Sequence, residues 1–141
     1  HKDDTLTAET VVDGWLRTGD IVRMDSNANL FFYDRKKDII KSGGMNVSSV
    51  EVETVLKRHA IVDDAAVVGL PDEYWSEAVT AFIVLKGDAA FDEASLIDAC
   101  KEDLAPYKIP KSFVVIDRLP RDKQGKVVKR RLRDGNLGRP T

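Results

Sequence analysis

Two mostly apolar runs flank a turn-forming segment early in the chain. Residues 21–24 and 30–33 form these runs, and residues 25–29 between them are Asp-Ser-Asn-Ala-Asn. Such runs indicate strands, and Asp and Asn favour a turn because their side chains bond nearby backbone groups. The pattern predicts a β-hairpin. The five consecutive charges at 34–38 could not be buried without partners, so they predict an exposed connector.

The next segment predicts a short strand, a glycine break and a helix. The strand begins at residues 39–40, is interrupted by a glycine pair at 43–44 and resumes at 45–47. Ser48, with Glu51 three residues later, has the capping-box pattern of a helix start. Helical spacing then continues at Val52, Val55, Leu56 and His59. A helix of about three turns is expected.

The middle of the chain predicts two neighbouring strands and a second helix. Residues 65–70 and 78–85 are β-rich runs separated by a Pro-Asp-Glu-Tyr-Trp loop. The helix is expected to start near Asp92 and to end before Pro106, whose ring prevents another turn. Its apolar positions are Leu96, Ile97, Cys100 and Leu104.

The last third predicts a strand at 113–116 and a helix at 129–133. Strands and helices are mixed, connections are short, and the sequence contains no repeat. The expected fold class is therefore α+β. It would have a small β-sheet of about three strands flanked by two or three helices, preceded by the β-hairpin.

Composition fits a folded domain and limits the classes of partner. Of 141 residues, 43% are hydrophobic and 33% charged, and the net charge of -2 provides no overall basic field for nucleic acid. Positive charge is nevertheless concentrated between residues 118 and 133, where eight Lys or Arg accompany one acidic residue, Asp122. This segment would allow a local anion-facing surface.

Cysteine usage and hydropathy set the expected compartment. Cys100 alone provides neither a disulfide nor a metal-ligand cluster, and no apolar run approaches the roughly 20 residues that span a bilayer. We expect a cytoplasmic protein with no metal site and no membrane span. Residues 1–10 are polar, with no targeting pattern, so we expect the chain to begin within a longer protein. His59 and Cys100 receive no chemical role.

Short motifs follow one another in a definite order. Thr18-Gly19-Asp20 enters the first strand, and residues 34–44 are DRKKDIIKSGG. Trp75, the YKIPK segment at 107–111 and the segment from Leu119-Pro120 to Gly125-Lys126 come later. Each motif alone is weak, since Thr-Gly-Asp is also an ordinary turn. Together, over residues 10–133, they resemble the C-terminal part of the adenylate-forming (AMP-binding) enzyme superfamily.

That superfamily includes acyl-CoA synthetases, aryl-CoA ligases, luciferases and peptide-synthetase adenylation domains. The resemblance implies that residues 1–34 end a large adenylating domain, that 35–37 form a hinge, and that 38–141 form a mobile C-terminal domain. The family's pivot falls on Lys37. An exposed polar residue in a short connector can absorb large φ/ψ changes, as a hinge requires. The alternative for this basic loop is simple solvation, which we favour for Lys36.

The resemblance implies roles in the first half-reaction for three residues. Asp20 would bind the ribose hydroxyls of ATP with help from Arg35, since a carboxylate accepts from a diol and Arg offers a fork of donors. Lys126 would be catalytic, supplying an ammonium where a carboxylate attacks the α-phosphate. A Walker loop is excluded because Val127 follows Lys126 and the upstream Gly is missing. An ordinary surface lysine is the remaining alternative.

For the second half-reaction, the resemblance implies that the glycine pair lets the backbone approach the CoA pantetheine arm. Lys41 is a candidate for a direct role in that step, although Lys41 and Ser42 could equally be solvent-facing strand residues. Where some relatives carry Arg this chain has Ile109, which weakens the nucleotide assignment, and Trp75 could instead pack on the sheet. The implied CoA-binding residues are Ser42, Gly43, Gly44, Trp75, Tyr107 and Lys111.

The implied activity is conversion of a carboxylic acid, ATP and CoA to acyl-CoA, AMP and pyrophosphate by a fatty or other acyl-CoA synthetase. Mg would accompany ATP. The partner would be the protein's own large N-terminal domain, without which this fragment would be nearly inactive. Two alternatives stay open: an adenylation domain that loads a carrier protein, and a nonenzymatic α+β module that binds nucleic acid.

Overall fold

The computed structural model describes residues 4–135, and the chain divides into one unit of residues 1–37 and another of residues 38–141. In the first unit, short pairings surround one longer hairpin. Its elements are α1 (Asp4–Thr10), β1 (Val11–Val12), β2 (Trp15–Leu16), β3 (Asp20–Met24) and β4 (Leu30–Arg35). Strands β1 and β2 pair with each other, and so do β3 and β4, both antiparallel.

The β3–β4 hairpin confirms the strand–turn–strand prediction. The Asp25 carboxylate accepts the backbone N–H groups of Asn27 and Asn29, both at 2.9 Å, and the Asn29 side-chain amide at 3.0 Å. These bonds, led by the one from the Asn29 side chain, lower the pKa of Asp25. Ala28 has φ +62°, which the turn imposes on a residue other than glycine.

The expectation of an exposed connector at 34–38 was partly wrong. Asp34 and Arg35 belong to β4, and Asp34 is 1% exposed. Its carboxylate accepts the Arg35 N–H at 2.7 Å. Only residues 36–38 form the turn. A charged strand end can be buried once its carboxylate has hydrogen-bond partners, which the charge pattern alone does not reveal.

The second unit contains the larger sheet. Its elements are β5 (Ile40–Ser42), β6 (Met45–Val47), α2 (Ser49–Arg58), β7 (Val62–Asp72), β8 (Ser76–Leu85), α3 (Glu93–Asp103), a 3-10 turn (Pro106–Lys108), β9 (Ser112–Val115) and α4 (Lys129–Arg133). The strand order is β6-β5-β8-β7, and β9 pairs parallel to β8 beside β5.

The α+β class is confirmed, with a sheet of five strands rather than about three. Long strands β7 and β8 pair from Val62 with Leu85 to Asp72 with Ser76. The additional strands β5, β6 and β9 have three or four residues each. Strands this short join a sheet through tertiary contacts, so local sequence does not show where they pair.

Both faces of the β7–β8 pair are buried. Successive residues of β7, such as Val67 and Val68, point into different core clusters. One cluster packs against α2 and α3 and includes Leu56 and Leu96. The other is closed by Leu119 and by Leu132 of α4. The continuous apolar character of β7 and β8 follows from this double burial.

The predicted helix starts are confirmed. Ser48 caps α2 through its Oγ, which accepts the Glu51 N–H at 3.3 Å, and Asp92 caps α3 by accepting the Ser95 N–H at 3.1 Å. On the buried face of α3, Cys100 lies in the core, and burial raises the pKa of its thiol to about 11. The Cys100 thiol is therefore protonated at neutral pH.

Replacing Leu56 with Ala should lower the free energy of unfolding by about 2–5 kcal/mol, because the fully buried side chain would leave a cavity. Urea titration of this chain measures the change. The control is Val115→Thr, at an exposed strand position, where a change within about 0.5 kcal/mol is expected. A loss no larger for Leu56→Ala than for the control would contradict the described core.

Candidate functional site

Asp20 and Arg35 face each other across the β3–β4 hairpin. They are register partners, and Arg35 Nε lies 3.4 Å from Asp20 Oδ1. The Asp20 N–H donates to Thr18 Oγ1 at 3.2 Å, which fixes the entry into β3. The Arg35 side chain is 52% exposed and that of Asp20 33%. The structure brings these two predicted residues together, with donors and acceptors still open to a ligand.

A cleft beside this pair belongs to the first unit. Thr18, Gly19, Arg35, Lys36 and Lys37 line it. The Lys36 N–H donates to the Gly19 carbonyl at 2.8 Å, and Gly19 has φ +76°, a conformation that glycine adopts without a Cβ penalty. Backbone bonds therefore shape the cleft, while three cationic side chains contribute to its lining.

Lys37 is the last residue of the first unit, and Asp38 is the first residue of the second. The Asp38 carboxylate binds the Arg133 guanidinium at 3.0 Å, and both side chains are less than one-third exposed. The chain is thus tied into the second unit at the last residue of the turn at 36–38. Rotation about Lys37 stays a prediction.

The glycine pair forms the two-residue turn between β5 and β6. Gly43 has φ +56° and Gly44 has φ +78°, and the flanking residues Ser42 and Met45 are paired. Positive φ at both central positions is the type I′ pattern, which favours glycine. The Gly43 N–H donates to the Trp75 carbonyl at 2.8 Å. A Cβ at Gly43 would lie 2.9 Å from Trp75 Cε3, so the indole ring and the turn are in close contact.

Trp75 is held from several sides. Asp72 Oδ1 accepts the N–H groups of Tyr74 at 2.9 Å and Trp75 at 2.8 Å. The Lys111 ammonium lies 4.7 Å from the Trp75 ring centroid, within cation–π range, and the Tyr74 ring approaches edge-on at 4.7 Å. The predicted residues Gly43, Trp75 and Lys111 therefore form one cluster on the second unit.

The other residues predicted to contact CoA have different surroundings. Tyr107 is half-buried against the α2–α3 side of the core, with the Lys108 ammonium 5.7 Å from its ring centroid. Lys41 is exposed, and its N–H donates to Glu77 Oε2 at 2.6 Å. Ser42 is 2% exposed, and its hydroxyl has no hydrogen-bond partner among the described residues. Ser42 is thus the least accessible of the three.

Lys126 lies in a loop organised by Asp122. Asp122 Oδ1 accepts the N–H groups of Gln124 at 2.8 Å and Lys126 at 3.0 Å. The Asp122 N–H donates to the Lys126 carbonyl at 2.9 Å, and Gly125 adopts φ +81°. The Lys126 side chain is exposed, and within residues 4–135 its ammonium has no carboxylate or hydrogen-bond partner.

Sequence reasoning missed the residue that ties this loop to the sheet. The Arg121 guanidinium binds the Asp64 carboxylate on β7 and also donates to the Gly125 carbonyl. Lys57 of α2 binds the other Asp64 oxygen at 2.9 Å. Desolvation tends to raise the pKa of Asp64, but the bonds from Lys57, Ala65 and Arg121 lower it overall. No local spacing links Asp64 to Arg121, which is 57 residues away.

A second contact, which is half-buried, fixes the helix that follows. The Lys129 ammonium lies 2.7 Å from both Glu53 Oε1 and Ser49 Oγ on α2, and the side chains of Lys129 and Glu53 are each 14% exposed. Glu53 also accepts the Val67 N–H of β7 at 2.8 Å. The segment carrying Lys126 is thus anchored on both sides.

Among residues 4–135, no group of three or more His, Cys, Asp or Glu side chains is arranged so that it could hold a metal ion. Within the same stretch, no helix has the length and apolar character needed to cross a bilayer.

Comparisons with known proteins point to one family. The model of the AMP-binding enzyme C-terminal domain matches residues 51–126, more than half of the chain. The 2-succinylbenzoate–CoA ligase of Bacillus cytotoxicus is 42% identical over 132 residues, covering 94% of this chain and 27% of that protein. The chain spans about a quarter of the length of the curated relatives it matches.

Two solved structures are similar throughout most of the chain. ATP-bound MatB from Rhodopseudomonas palustris has a TM-score of 0.88 and 32% identity, covering 96% of this chain and 27% of that one. The o-succinylbenzoate CoA synthetase from Bacillus subtilis, in complex with its acyl-adenylate intermediate, has a TM-score of 0.84 and 40% identity, covering 94% and 27%.

The two glycines of the β5–β6 turn should respond differently to Ala. Both substitutions would strain a positive φ, but only at Gly43 would the new Cβ also meet the Trp75 ring. We expect Gly43→Ala to destabilise the chain more than Gly44→Ala, each by about 1–3 kcal/mol from strain, and to shift the Trp75 fluorescence. Both variants are compared in a Trp15→Phe background by urea titration. Equal effects would contradict the Gly43–Trp75 contact.

Proposed function

Because the chain belongs to the AMP-binding enzyme C-terminal domain family, we propose that it is this domain, with the end of the preceding one, of an ATP-dependent acid–CoA ligase. In the proposed first step, a substrate carboxylate attacks the α-phosphorus of ATP and releases pyrophosphate. In the second, the CoA thiol attacks the acyl carbon and AMP leaves. The observation that carries the proposal is the exposed, unpaired Lys126 ammonium on a braced loop within the described part of the chain.

Lys126 would act in the first step. A carboxylate and a polyphosphate repel each other, and negative charge develops on the phosphoryl oxygens as they react. An ammonium placed beside those oxygens stabilises the transition state. Lys126 fits this role because its backbone is fixed by Asp122 while its charged end is not engaged by another described residue.

Asp20 and Arg35 would hold the nucleotide. The Asp20 carboxylate can accept from two hydroxyls of a ribose, and the adjacent guanidinium can donate to the same ligand. Their 3.4 Å contact is partly exposed, so a ligand would replace water rather than a buried ion pair. Mg would enter as the counter-ion of ATP. We assign no resident metal to the described residues.

The cluster of Gly43, Trp75 and Lys111 would serve the second step. The type I′ turn exposes backbone without side chains along the path proposed for pantetheine, next to the indole ring. Trp75 offers a face on which adenine can stack, and Lys111 offers a cation for a phosphate. The proposed CoA-binding residues also include Gly44, Tyr107 and Ser42, and Lys41 stays a candidate for a direct role in this step. Ser42 would have to become accessible to contact CoA.

In the proposed parent protein, another domain would cover an apolar surface that the first unit exposes. Several large apolar side chains of the β3–β4 hairpin are more than 45% exposed, an arrangement typical of a surface covered by another part of a protein. They are Val22, Met24, Leu30, Phe31 and Phe32. We propose that the large N-terminal domain covers them, that the isolated chain is inactive, and that the parent works in the cytoplasm.

For the carboxylic acid substrate, we propose only a chemical class. The name of the Bacillus cytotoxicus relative makes an aryl acid such as 2-succinylbenzoate the first candidate, with fatty and short-chain acids as alternatives. ATP–pyrophosphate exchange across a panel of these three classes identifies the acid, and the acid with the fastest exchange is used in the assays below.

Lys126→Ala in the full-length enzyme should slow adenylate formation by about 100-fold or more, the scale of a lost oxyanion donor. Thioester formation from supplied acyl adenylate and CoA should be spared. Lys123→Ala is the matched control, because it removes an exposed lysine from the same loop. Undiminished exchange in Lys126→Ala, or an equal loss in both variants, would refute the assignment.

Lys37→Pro should impair the second half-reaction while leaving the first near its normal rate, because a fixed φ opposes rotation at the junction of the two units. Lys37→Ala removes the same side chain and keeps the backbone free, so it serves as the control. Single-turnover measurements of both half-reactions separate the steps. Equal rates of thioester formation in Lys37→Pro and Lys37→Ala would count against the hinge.

A further inference from the structure

The loop of residues 121–127, which carries Lys126, has two levels of organisation. Within the loop, Asp122 bonds Lys126 through both its backbone and its side chain. Arg121 and Val127 form an antiparallel bridge that closes the loop at its base. These contacts define the loop's internal shape but do not attach it to the sheet.

Val127 packs against the core at one end of the loop, and the residues next to Lys126 are attached by Arg121. Its guanidinium binds the Gly125 carbonyl next to Lys126 and also binds the Asp64 carboxylate on β7. One planar side chain therefore joins the tip of the loop to the central strand pair. The Asp64 oxygen it uses is Oδ2, while Lys57 binds Oδ1 at 2.9 Å. Asp64 itself is fixed in β7 by its pairing with Val84, so the loop has a fixed point of attachment that does not require Lys57.

We propose that Arg121, anchored by Asp64, is a positioning residue that holds the Lys126 loop in the geometry needed for adenylate formation. The inference rests on the proposed function. A small displacement of a catalytic group is enough to slow a reaction strongly, so a side chain that fixes the loop contributes to rate without touching substrate.

The exposure of the contacts argues for positioning rather than for fold stability. The side chains of Arg121 and Lys57 are 46% and 43% exposed, and that of Asp64 is 20% exposed. Solvent-exposed ion pairs contribute little to folding. The chemistry also favours Arg over Lys, since the rigid guanidinium fork directs one terminal nitrogen at the Gly125 carbonyl and the other at the Asp64 carboxylate.

The test uses Arg121→Gln, Asp64→Ala and the double variant in the full-length enzyme. Each single change should reduce ATP–pyrophosphate exchange about 10-fold or more, and the double should be no worse than the poorer single, because both remove one tether. Thioester formation from supplied acyl adenylate should stay within about two-fold. Arg121→Lys, which keeps the charge but not the fork, should restore only part of the lost rate.

Lys57→Gln is the matched control, because it removes the other partner of the same carboxylate and leaves the Arg121 contacts in place. It should keep both half-reactions within about two-fold of the parent enzyme. Equal losses in the two half-reactions of Arg121→Gln would indicate a merely structural role and overturn the proposal. So would an exchange loss in Lys57→Gln as large as that in Arg121→Gln.

Hydrogen–deuterium exchange gives a readout that needs no substrate. The Gln124 and Lys126 amides, which Asp122 protects, should exchange faster in Arg121→Gln and be unchanged in Lys57→Gln. Unchanged protection in Arg121→Gln would overturn the tether. If Lys126→Ala slows adenylation and Arg121→Gln does not, the positioning role fails and the proposed function stands. If Lys126→Ala has no effect, both fail.

Discussion

Burial of both faces of the β7–β8 pair is the constraint on which the second unit depends. Helices α2 and α3 cover one face, and the other face is closed by Leu119 and Leu132, which lie on either side of the 121–127 loop. Because these two leucines are fixed in the core, the intervening residues have to leave the sheet and return to it. The packing requirement therefore places Lys126 in a short loop with anchored ends, next to the bridge at its base.

In the basic segment at residues 118–133, some positive charges bind carboxylates of the fold and others stay exposed. Arg121, Lys129 and Arg133 each bind a carboxylate within the second unit, at Asp64, Glu53 and Asp38 respectively. A local anion-facing surface was expected from the whole run, yet much of its charge is already used to hold the C-terminal segment against β7 and α2. In the described part of the chain, Lys126 keeps its charge available, and a hydrated lysine on the surface carries little desolvation cost.

Sequence patterns predicted the elements well where the signal is local. The Ser48 and Asp92 caps, the Asp25 turn and the glycine pair at 43–44 all act over two to four residues, and the structure has them in place. Partners distant in the chain were not predictable. The parallel pairing of β9 with β8 and the Asp64–Arg121 contact depend on packing between remote segments. Motif order identified the candidate residues, but only coordinates brought Gly43, Trp75 and Lys111 together.

The proposed two-step chemistry places different demands on the two kinds of site. Thioester formation needs a surface that a long, flexible ligand can follow, and the proposal assigns this role to the turn without side chains beside the ring of Trp75. Adenylate formation needs a cation at a defined position in the transition state. Lys126 has a long side chain, and fixing its rotamers costs conformational entropy. Restricting its backbone is then the main means by which the fold can limit where the ammonium reaches. Under the proposed role of Lys126, the hydrogen bonds that converge on the seven residues of the 121–127 loop would meet that requirement.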